Sequence, residues 1–536
     1  MVNHKTFLKK LTSDETGKKV NQLRLIIVHY HLRPGGVRRI IEMAVPFLVH
    51  PGGCDSVVLA IGEAPDPAWL SAFEHKLAGV KVELFVDAAF GYCSEHKMPR
   101  ARLQARLRKS ASLLFAQAHD AVVWFHNPSV GRNLALSSVL AEMASERKIP
   151  LIYHHHDWWF DNRWARWKEM RRTGFSTFAK ALDGVFPSVD GLCHAVINTE
   201  DAEALKRCFP DSVFWMPNLA LRPPAISQTT AHHVRRWLQG EIGVENARIW
   251  LVPCRVLRRK NLAEALLLTR WLAPDAWLVT TGGTSSDAER FYADALRGAA
   301  IEHRWPLKMG CLDGTEKFSV PELLAASDTV LLTSILEGFG LPYLEAAAAG
   351  RPMIARTLPN IAPDLAQFGF HFPQAYQDIL IRPELFDWDG EVKRQRRFYR
   401  QWRGGLPKAC QPLAGEPLVL AAKAPDPVPF SRLTLTAQLE ILDRPPEVSL
   451  AACEDLNPFL ATWRKRMDAG NLGVSPWPRK VEKLLGGKAY AGRFMEAVEA
   501  ARAHKASRPA DGVREQFVEA RLDSAHQYPL LWKEQT

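Results

Sequence analysis

Nothing in this chain of 536 residues approaches the ~20-residue apolar run that a membrane-spanning helix needs, so no such span is expected. The opening residues, MVNHKTFLKKLTSDETGKK, are polar and lack the apolar centre of a signal peptide. Residues 1–20 therefore read as a flexible tail on a cytoplasmic protein. Cysteine is sparse and scattered: there are eight, with no CxxC pair and no zinc-ligand spacing. Reduced thiols are expected, not a disulfide frame or a structural zinc. The GxGxxG fingerprint is missing too, which removes support for a nicotinamide or flavin cofactor. No nucleic-acid-binding module is visible despite a net charge of +11, so nucleic acid is not an expected partner.

What is present is ordinary globular material in a chain too long for a single core, which predicts two or three domains. The positive charge suits an anionic donor, an anionic acceptor or an anionic membrane surface, and does not choose among them. Apolar runs of strand length alternate with helical patterns. In the first half they fall at 21–30, 56–61, 81–86, 121–125, 151–154, 191–197 and 212–216; in the second at 249–253, 276–281 and 328–333. Such alternation predicts parallel sheets covered on both faces. A polar, proline-containing stretch places the domain boundary near 217–245.

The most informative stretch is Glu337-Gly-Phe-Gly-Leu-Pro-Tyr-Leu-Glu345, followed by four alanines, Gly350, Arg351 and Pro352. A strand runs into it and a helix leaves it at Leu341, with Pro342 in the first turn, where its missing N–H costs nothing. A glycine loop opening a helix offers backbone N–H groups and a positive dipole end to an anion such as a phosphate. Glu337 and Glu345 bracket that cradle; carboxylates repel bare phosphate but accept from hydroxyls. A nucleotide-sugar has both kinds of group.

Two other turns carry candidate chemistry. After the strand at 249–253 come Cys254, Arg255, Val256, Leu257, Arg258, Arg259, Lys260 and Asn261. A guanidinium grips phosphate oxygens in a fork and a lysine adds a point charge, so Arg255 and Lys260 suit a departing diphosphate. The strand at 276–281 ends in Gly282 and Gly283. In the first half, Gly35 and Gly36 open a helix that carries Arg38 and Arg39, and the strand at 151 ends in His154, His155, His156 and Asp157. Neighbouring strand residues point to opposite faces, so the three consecutive histidines are not expected to converge on a metal.

The motif EGFGLPxLEAxAxGxP, with the basic segment at 254–261, resembles the retaining GT-B glycosyltransferases, in particular the large nucleotide-sugar-dependent family 4. The resemblance covers roughly residues 23–470 and is strongest at 328–356. It implies an α/β fold of two Rossmann-like, doubly wound parallel-sheet domains facing a cleft, with a C-terminal helical extension. The domains would be 21–217 on the acceptor side, 218–445 on the donor side with a basic insertion at about 376–430, and 446–536 as crossing helix and extension.

The resemblance also implies roles. Glu337 and one of His154–His156, with His156 the first choice, would position the donor sugar; Glu345 would take the ribose hydroxyls. Arg255, Lys260 and the amides of Gly338, Phe339, Gly340 and Leu341 would stabilise the leaving diphosphate. Gly35 and Gly36 would lie beside the donor phosphates and the acceptor, and Gly282 and Gly283 near the base. Cys254 replaces the glycine usual before the arginine. No cofactor or metal is required, and the sugar would pass with retention to an acceptor hydroxyl on a glycan, lipid or small molecule. Envelope polysaccharide or glycolipid assembly is the family's commonest employment. A sugar phosphorylase on the same fold, or a non-catalytic sugar- or membrane-binding relative, are the alternatives.

Two segments stand apart from the motifs. Residues 158–167 (WWFDNRWARW) read mainly as core, with one or two aromatics available to line an acceptor pocket. Residues 393–403 (KRQRRFYRQWR) read as a solvated or partner-covered helix, with peripheral contact to an anionic membrane as the sharper option.

Overall fold

The computed structural model describes residues 23–532 apart from 51–52, 117, 119, 285–286, 316, 507–508 and 510–511; the predicted tail at 1–20 lies outside the described residues. The chain divides into two compact units, residues 1–221 with 405–412 and 482–521, and residues 222–404 with 413–481 and 522–536.

The first unit is built on seven strands: β1 (Leu23–Val28), β2 (Cys54–Ile61), β3 (Lys81–Val86), β4 (Ala121–His126), β5 (Leu151–His155), β6 (Leu192–Val196) and β7 (Val213–Trp215). All pairings are parallel, in the order β3-β2-β1-β4-β5-β6-β7. Alternate residues of the same strands feed two cores. Ile26, Val28, Val123 and Phe125 enter one, while Leu25, Ile27, Val122 and Trp124 enter the other. That is the two-sided burial a parallel sheet demands. The helix Gly487–Ala503, from a stretch unassigned by sequence, closes the second of these cores with Tyr490, Phe494, Ala497 and Val498. Spacings of four, three and one residue put these side chains on one stripe.

The second unit repeats the plan with β8 (Arg248–Val252), β9 (Ala276–Thr280), β10 (Leu307–Lys308), β11 (Thr329–Leu332), β12 (Met353–Arg356) and β13 (Gln374–Tyr376), ordered β10-β9-β8-β11-β12-β13. Both sheets thus share the doubly wound Rossmann order, and each reverses direction between its first and fourth strands. In such sheets ligands bind beyond the carboxyl ends of the strands beside that reversal. The loops after β1, β4 and β5, and those after β8, β9 and β11, are therefore the places where chemistry is expected.

A buried polar knot holds the far side of the second sheet. Glu264, fully buried on the helix Leu262–Leu272, accepts from Arg356 at 2.5 Å, Tyr376 at 2.5 Å and Asn261 at 2.8 Å. Burial raises its carboxyl pKa, against the Arg356 guanidinium, which lowers it. The helix Trp388–Gly405 turns Phe398 and Tyr399 inward, with Trp402 stacked on Trp532 at 5.5 Å, and leaves Lys393, Arg396, Arg397, Arg400 and Arg403 exposed. No described helix is long and apolar enough to cross a membrane, and all eight cysteines are free.

Candidate functional site

In the second unit three loops are sewn together by backbone bonds. Gly282 N–H donates to Cys254 O at 3.0 Å and Val256 N–H to Gly283 O at 3.1 Å, joining the turns after β8 and β9. Ile335 N–H donates to Arg259 O at 2.8 Å, and the Thr333 hydroxyl to Lys260 O at 2.8 Å, joining the turns after β8 and β11. Cys254 does not occupy the left-handed region, so the glycine it replaces is not demanded by the backbone here.

Glu337 lies where these loops meet. Its Oε1 accepts from the Lys260 ammonium and, at 2.7 Å, from the Ser334 hydroxyl; its Oε2 accepts from Arg259 Nη1 at 2.9 Å. Burial works against the charged carboxylate, yet Lys260 and Arg259 outweigh it and hold the pKa down to about 2. Asn360 Nδ2 anchors the Glu337 carbonyl at 2.6 Å. A carboxylate offers about four lone-pair sites, so three protein donors leave Oε2 with room for one more hydrogen, such as that of a hydroxyl. The structure therefore brings together Lys260 and Glu337, to which sequence reasoning gave separate tasks. It adds Arg259, Ser334 and Asn360, which that reasoning did not single out.

Beyond Glu337 the chain turns through Gly340, whose φ of +84° lies in the left-handed region that favours glycine. The helix Leu341–Ala348 follows without a side-chain cap. Phe339 is buried and its ring faces Phe368 at 6.2 Å, so only its backbone is available to a ligand. Glu345 stands half-buried one turn into the helix. Arg255 is exposed, and its stem crosses Gly282, where a Cβ would meet Arg255 Cγ at 3.0 Å. Gly283 makes room for Asp313: a Cβ would stand 1.8 Å from Asp313 Oδ2, and the Gly283 N–H donates to Oδ1 at 2.8 Å. Asp313, distant in sequence, is a further missed participant.

In the first unit the histidines divide as the strand period dictates. His155 turns to one face, where its Nε2 pairs with His194 Nδ1 at 3.0 Å. His154 and His156 turn to the other and are joined there by His126 from β4, with His126 Nδ1 and His156 Nε2 3.0 Å apart. The consecutive trio does not converge, but these three do: one nitrogen of each lies within 4.8 Å of the others, a spacing that could hold a metal ion. The fit is partial. Trp124 Nε1 donates to His154 Nδ1 at 3.3 Å, which leaves the proton of a neutral His154 on its unpartnered Nε2. Burial lowers all three pKa values, that of His156 to about 4 and those of His126 and His154 well below the usual imidazole range, so the rings are neutral at pH 7.

Beside them, residues after β1, β4 and β5 line a cavity of about 190 Å³ that includes His31, Gly35, Gly36, Arg38, Tyr92, Asp157, Arg163 and Arg166. Gly35 and Gly36 sit at its exposed mouth, where the helix Gly36–Val49 begins without a side-chain cap. Arg38 lines it while paired with Glu42 at 3.1 Å. The aromatics of 158–167 do not line this cavity: Trp158, Trp159, Phe160, Trp164 and Trp167 are all buried as core. The arginines interleaved with them, Arg163 and Arg166, are the residues of that stretch that reach it.

Comparison with known proteins follows the same geography. The family described as Glycosyl transferases group 1 matches residues 239–373, the segment that holds Arg255, Lys260, Gly282, Gly283, Glu337 and Glu345. The chain is 26% identical over 351 residues to a mannosylglucosyl-3-phosphoglycerate synthase of Petrotoga mobilis, covering 63% of this chain and 65% of that protein. Residues 239–373 thus carry the group 1 glycosyltransferase match.

The chain is also 23% identical over 269 residues to a mannosylglucosylglycerate synthase of the same organism, covering 45% of this chain and 60% of that protein. The chain thus spans just under two thirds of the length of the curated relatives it matches. Similar solved structures include Anabaena HepE in complex with UDP and glucose, at 14% identity over 83% of this chain and 98% of that one, TM-score 0.45. Sucrose-phosphate synthase from Thermosynechococcus elongatus is similar at 13% identity over 90% of this chain and 100% of that one, TM-score 0.48. Each of the two units of the chain has its own doubly wound, Rossmann-like parallel sheet.

Proposed function

We propose that the protein transfers a hexose from a nucleotide-sugar to a hydroxyl of a small glycoside, with retention at the anomeric carbon. The observation that carries this reading is the buried Glu337 carboxylate, held ionised by Lys260 and Arg259 with an acceptor site to spare, at the mouth of the glycine loop and helix Leu341–Ala348. Glu337 orients a hydroxyl of the donor sugar. Arg255 and the helix N-terminus take up charge on the diphosphate as the bond between anomeric carbon and phosphate oxygen breaks. Lys260 adds its charge from beside Glu337. A non-bridging oxygen of the departing diphosphate accepts the proton of the incoming hydroxyl on the same face, where the new bond to the anomeric carbon forms. Glu345 holds the ribose, Gly282 and Gly283 flank the base, Gly35 and Gly36 lie between the donor phosphates and the acceptor, and His156 contacts the donor sugar. None of these steps needs a metal.

Relatives named for mannosylglucosyl-glycerates favour a small glycosidic acceptor over the envelope polysaccharide or glycolipid expected from the resemblance. The exposed basic face of the helix Trp388–Gly405 is the surface through which a cytoplasmic enzyme would touch an anionic membrane. The test is incubation with UDP- and GDP-linked hexoses and a panel of small glycosides, following nucleoside diphosphate release and the product's anomeric configuration by NMR. A retained product supports the reading. An inverted product contradicts retention, and phosphate-dependent release of a sugar 1-phosphate makes the protein a phosphorylase instead.

A further inference from the structure

The cavity after β1, β4 and β5 is lined on several sides by guanidinium groups, and most of them have a carboxylate. Arg33 clasps Glu63 at 2.6 Å and Glu95 at 2.9 Å on the exposed rim. Arg38 pairs with Glu42 at 3.1 Å, and Arg163 with Asp157 at 2.8 Å. Arg166 differs. One of its nitrogens donates to the Val130 carbonyl, and among the described residues no carboxylate lies within 4.0 Å of it. Its charged neighbours are mostly of its own sign: burial first, then Arg163 and Arg132, push its pKa down to about 9, and only Tyr92 and Asp157 act in the other direction.

Arg166 is half-buried, and a guanidinium crowded by other guanidinium groups is costly there unless an anion completes the site. Two of its five N–H groups, side by side, form a fork that matches two oxygens of a phosphate or carboxylate at once. The uncapped start of the 14-residue helix Gly36–Val49 opens on the same cavity and contributes its amides. The Tyr92 hydroxyl, 3.1 Å from His31 Nε2, supplies a polar wall suited to sugar hydroxyls.

We propose that this cavity binds an anionic group, a phosphate or a carboxylate, carried by the acceptor, with Arg166 as its main cation and Arg163 and the Gly36 helix start as support. The word acceptor rests on the transferase reading above; anion binding at Arg166 does not. The cavity's volume, about 190 Å³, suits such a group with part of a sugar ring and not a long glycan. Acceptor selection thereby becomes a matter of charge: the neutral sugar lacking the anion loses the contact that seats it.

The experiment is isothermal titration of the full chain, first saturated with the nucleoside diphosphate that binds it, with inorganic phosphate and separately with acetate. The diphosphate fills the donor side, so anion heat reports on the other site. Saturable binding is expected for the wild type, at least about tenfold weaker in Arg166→Gln, with nucleotide affinity unchanged. Whichever of phosphate and acetate binds more tightly names the anionic group. Equal anion affinity in wild type and Arg166→Gln, or no saturable binding of either anion, overturns the proposal. Should Arg166→Gln not fold, Arg166→Lys decides in its place: the lost fork predicts clearly weaker binding, and undiminished affinity overturns it. If no nucleotide binds, the transferase reading fails on its own, and the titration is run on Arg255→Gln, whose altered residue lies in the other unit.

Discussion

Lys260 and Glu337 stand 77 residues apart in the chain, yet the ammonium of one touches the carboxylate of the other, both side chains only 8% exposed. The parallel pairing of β8 with β11 delivers them: Trp250 lies opposite Thr329 and Leu251 opposite Val330, so the loops beyond the two strands emerge side by side. Breaking a buried pair from one side leaves an uncompensated charge and costs about 3–5 kcal/mol. Glu337→Gln is therefore expected to unfold earlier in urea. It also loses the oriented hydroxyl acceptor, and kcat should fall by at least about a hundredfold, the scale of removing one positioned polar group.

The sign of the pH effect at Glu337 is fixed by its depressed pKa. A carboxyl ordinarily at 4.5 and held at about 2 in the folded state adds stability in full above pH 4.5 and loses it as pH falls toward 2. The stability gap between wild type and Glu337→Gln should be widest at neutral pH and shrink below about pH 4.5. Urea denaturation at pH 7, 5 and 4 measures it. A gap that grows on acidification contradicts the ion-pair account.

The buried histidines act at higher pH. His29, His126, His154, His155, His156 and His194 are all held below 6.5, first by burial, so each takes up a proton more readily once unfolded. Their contribution is present above pH 6.5 and lost as pH falls below it. Each proton taken up steepens the decline by about 1.4 kcal/mol per pH unit. Unfolding followed between pH 7 and 5 should therefore show uptake of several protons, and His126→Phe should flatten the slope.

Metal dependence is decided by removal. Transfer driven by Arg255, Lys260 and the helix start is expected to continue in excess EDTA. Loss of activity in EDTA with recovery on adding zinc would instead make His126, His154 and His156 a metal centre.

The helix Trp388–Gly405 turns its aromatics inward, so any membrane contact through its basic face is electrostatic. Co-sedimentation with anionic vesicles should fade with rising salt, as the screening length shrinks, and vanish when Arg396, Arg397 and Arg400 are changed to Glu. Binding to neutral vesicles would contradict this.

Much of the architecture was legible because parallel strands buried on both faces read as nearly unbroken apolar runs, as β1, β4, β8 and β11 do with one polar residue each, Arg24, His126, Arg248 and Thr329. The short strands β10 and β13, two and three residues long, carry no such signal, since their place comes from neighbours. The glycine motif pointed to Glu337 and Glu345. Arg259, Ser334 and Asn360 were not legible, because their role exists only once three loops meet. The histidine cluster shows the same limit: period-two alternation correctly separated His155 from its neighbours, but His126 joins from an adjacent strand that local pattern does not specify. Arg166 was hidden among tryptophans whose burial sets the orientation of the arginines between them.

The central claim is that the second unit binds a nucleoside diphosphate through Arg255, the Gly338–Leu341 turn and Glu345. Its most direct test is thermal and calorimetric titration of wild type, Arg255→Gln and Glu345→Ala with UDP, GDP and ADP. The account predicts that one nucleotide stabilises the wild type, by about 2.7 kcal/mol at a hundred times its dissociation constant, and that both variants lose most of that gain. No stabilisation by any of the three, or equal stabilisation in all three proteins, would contradict it.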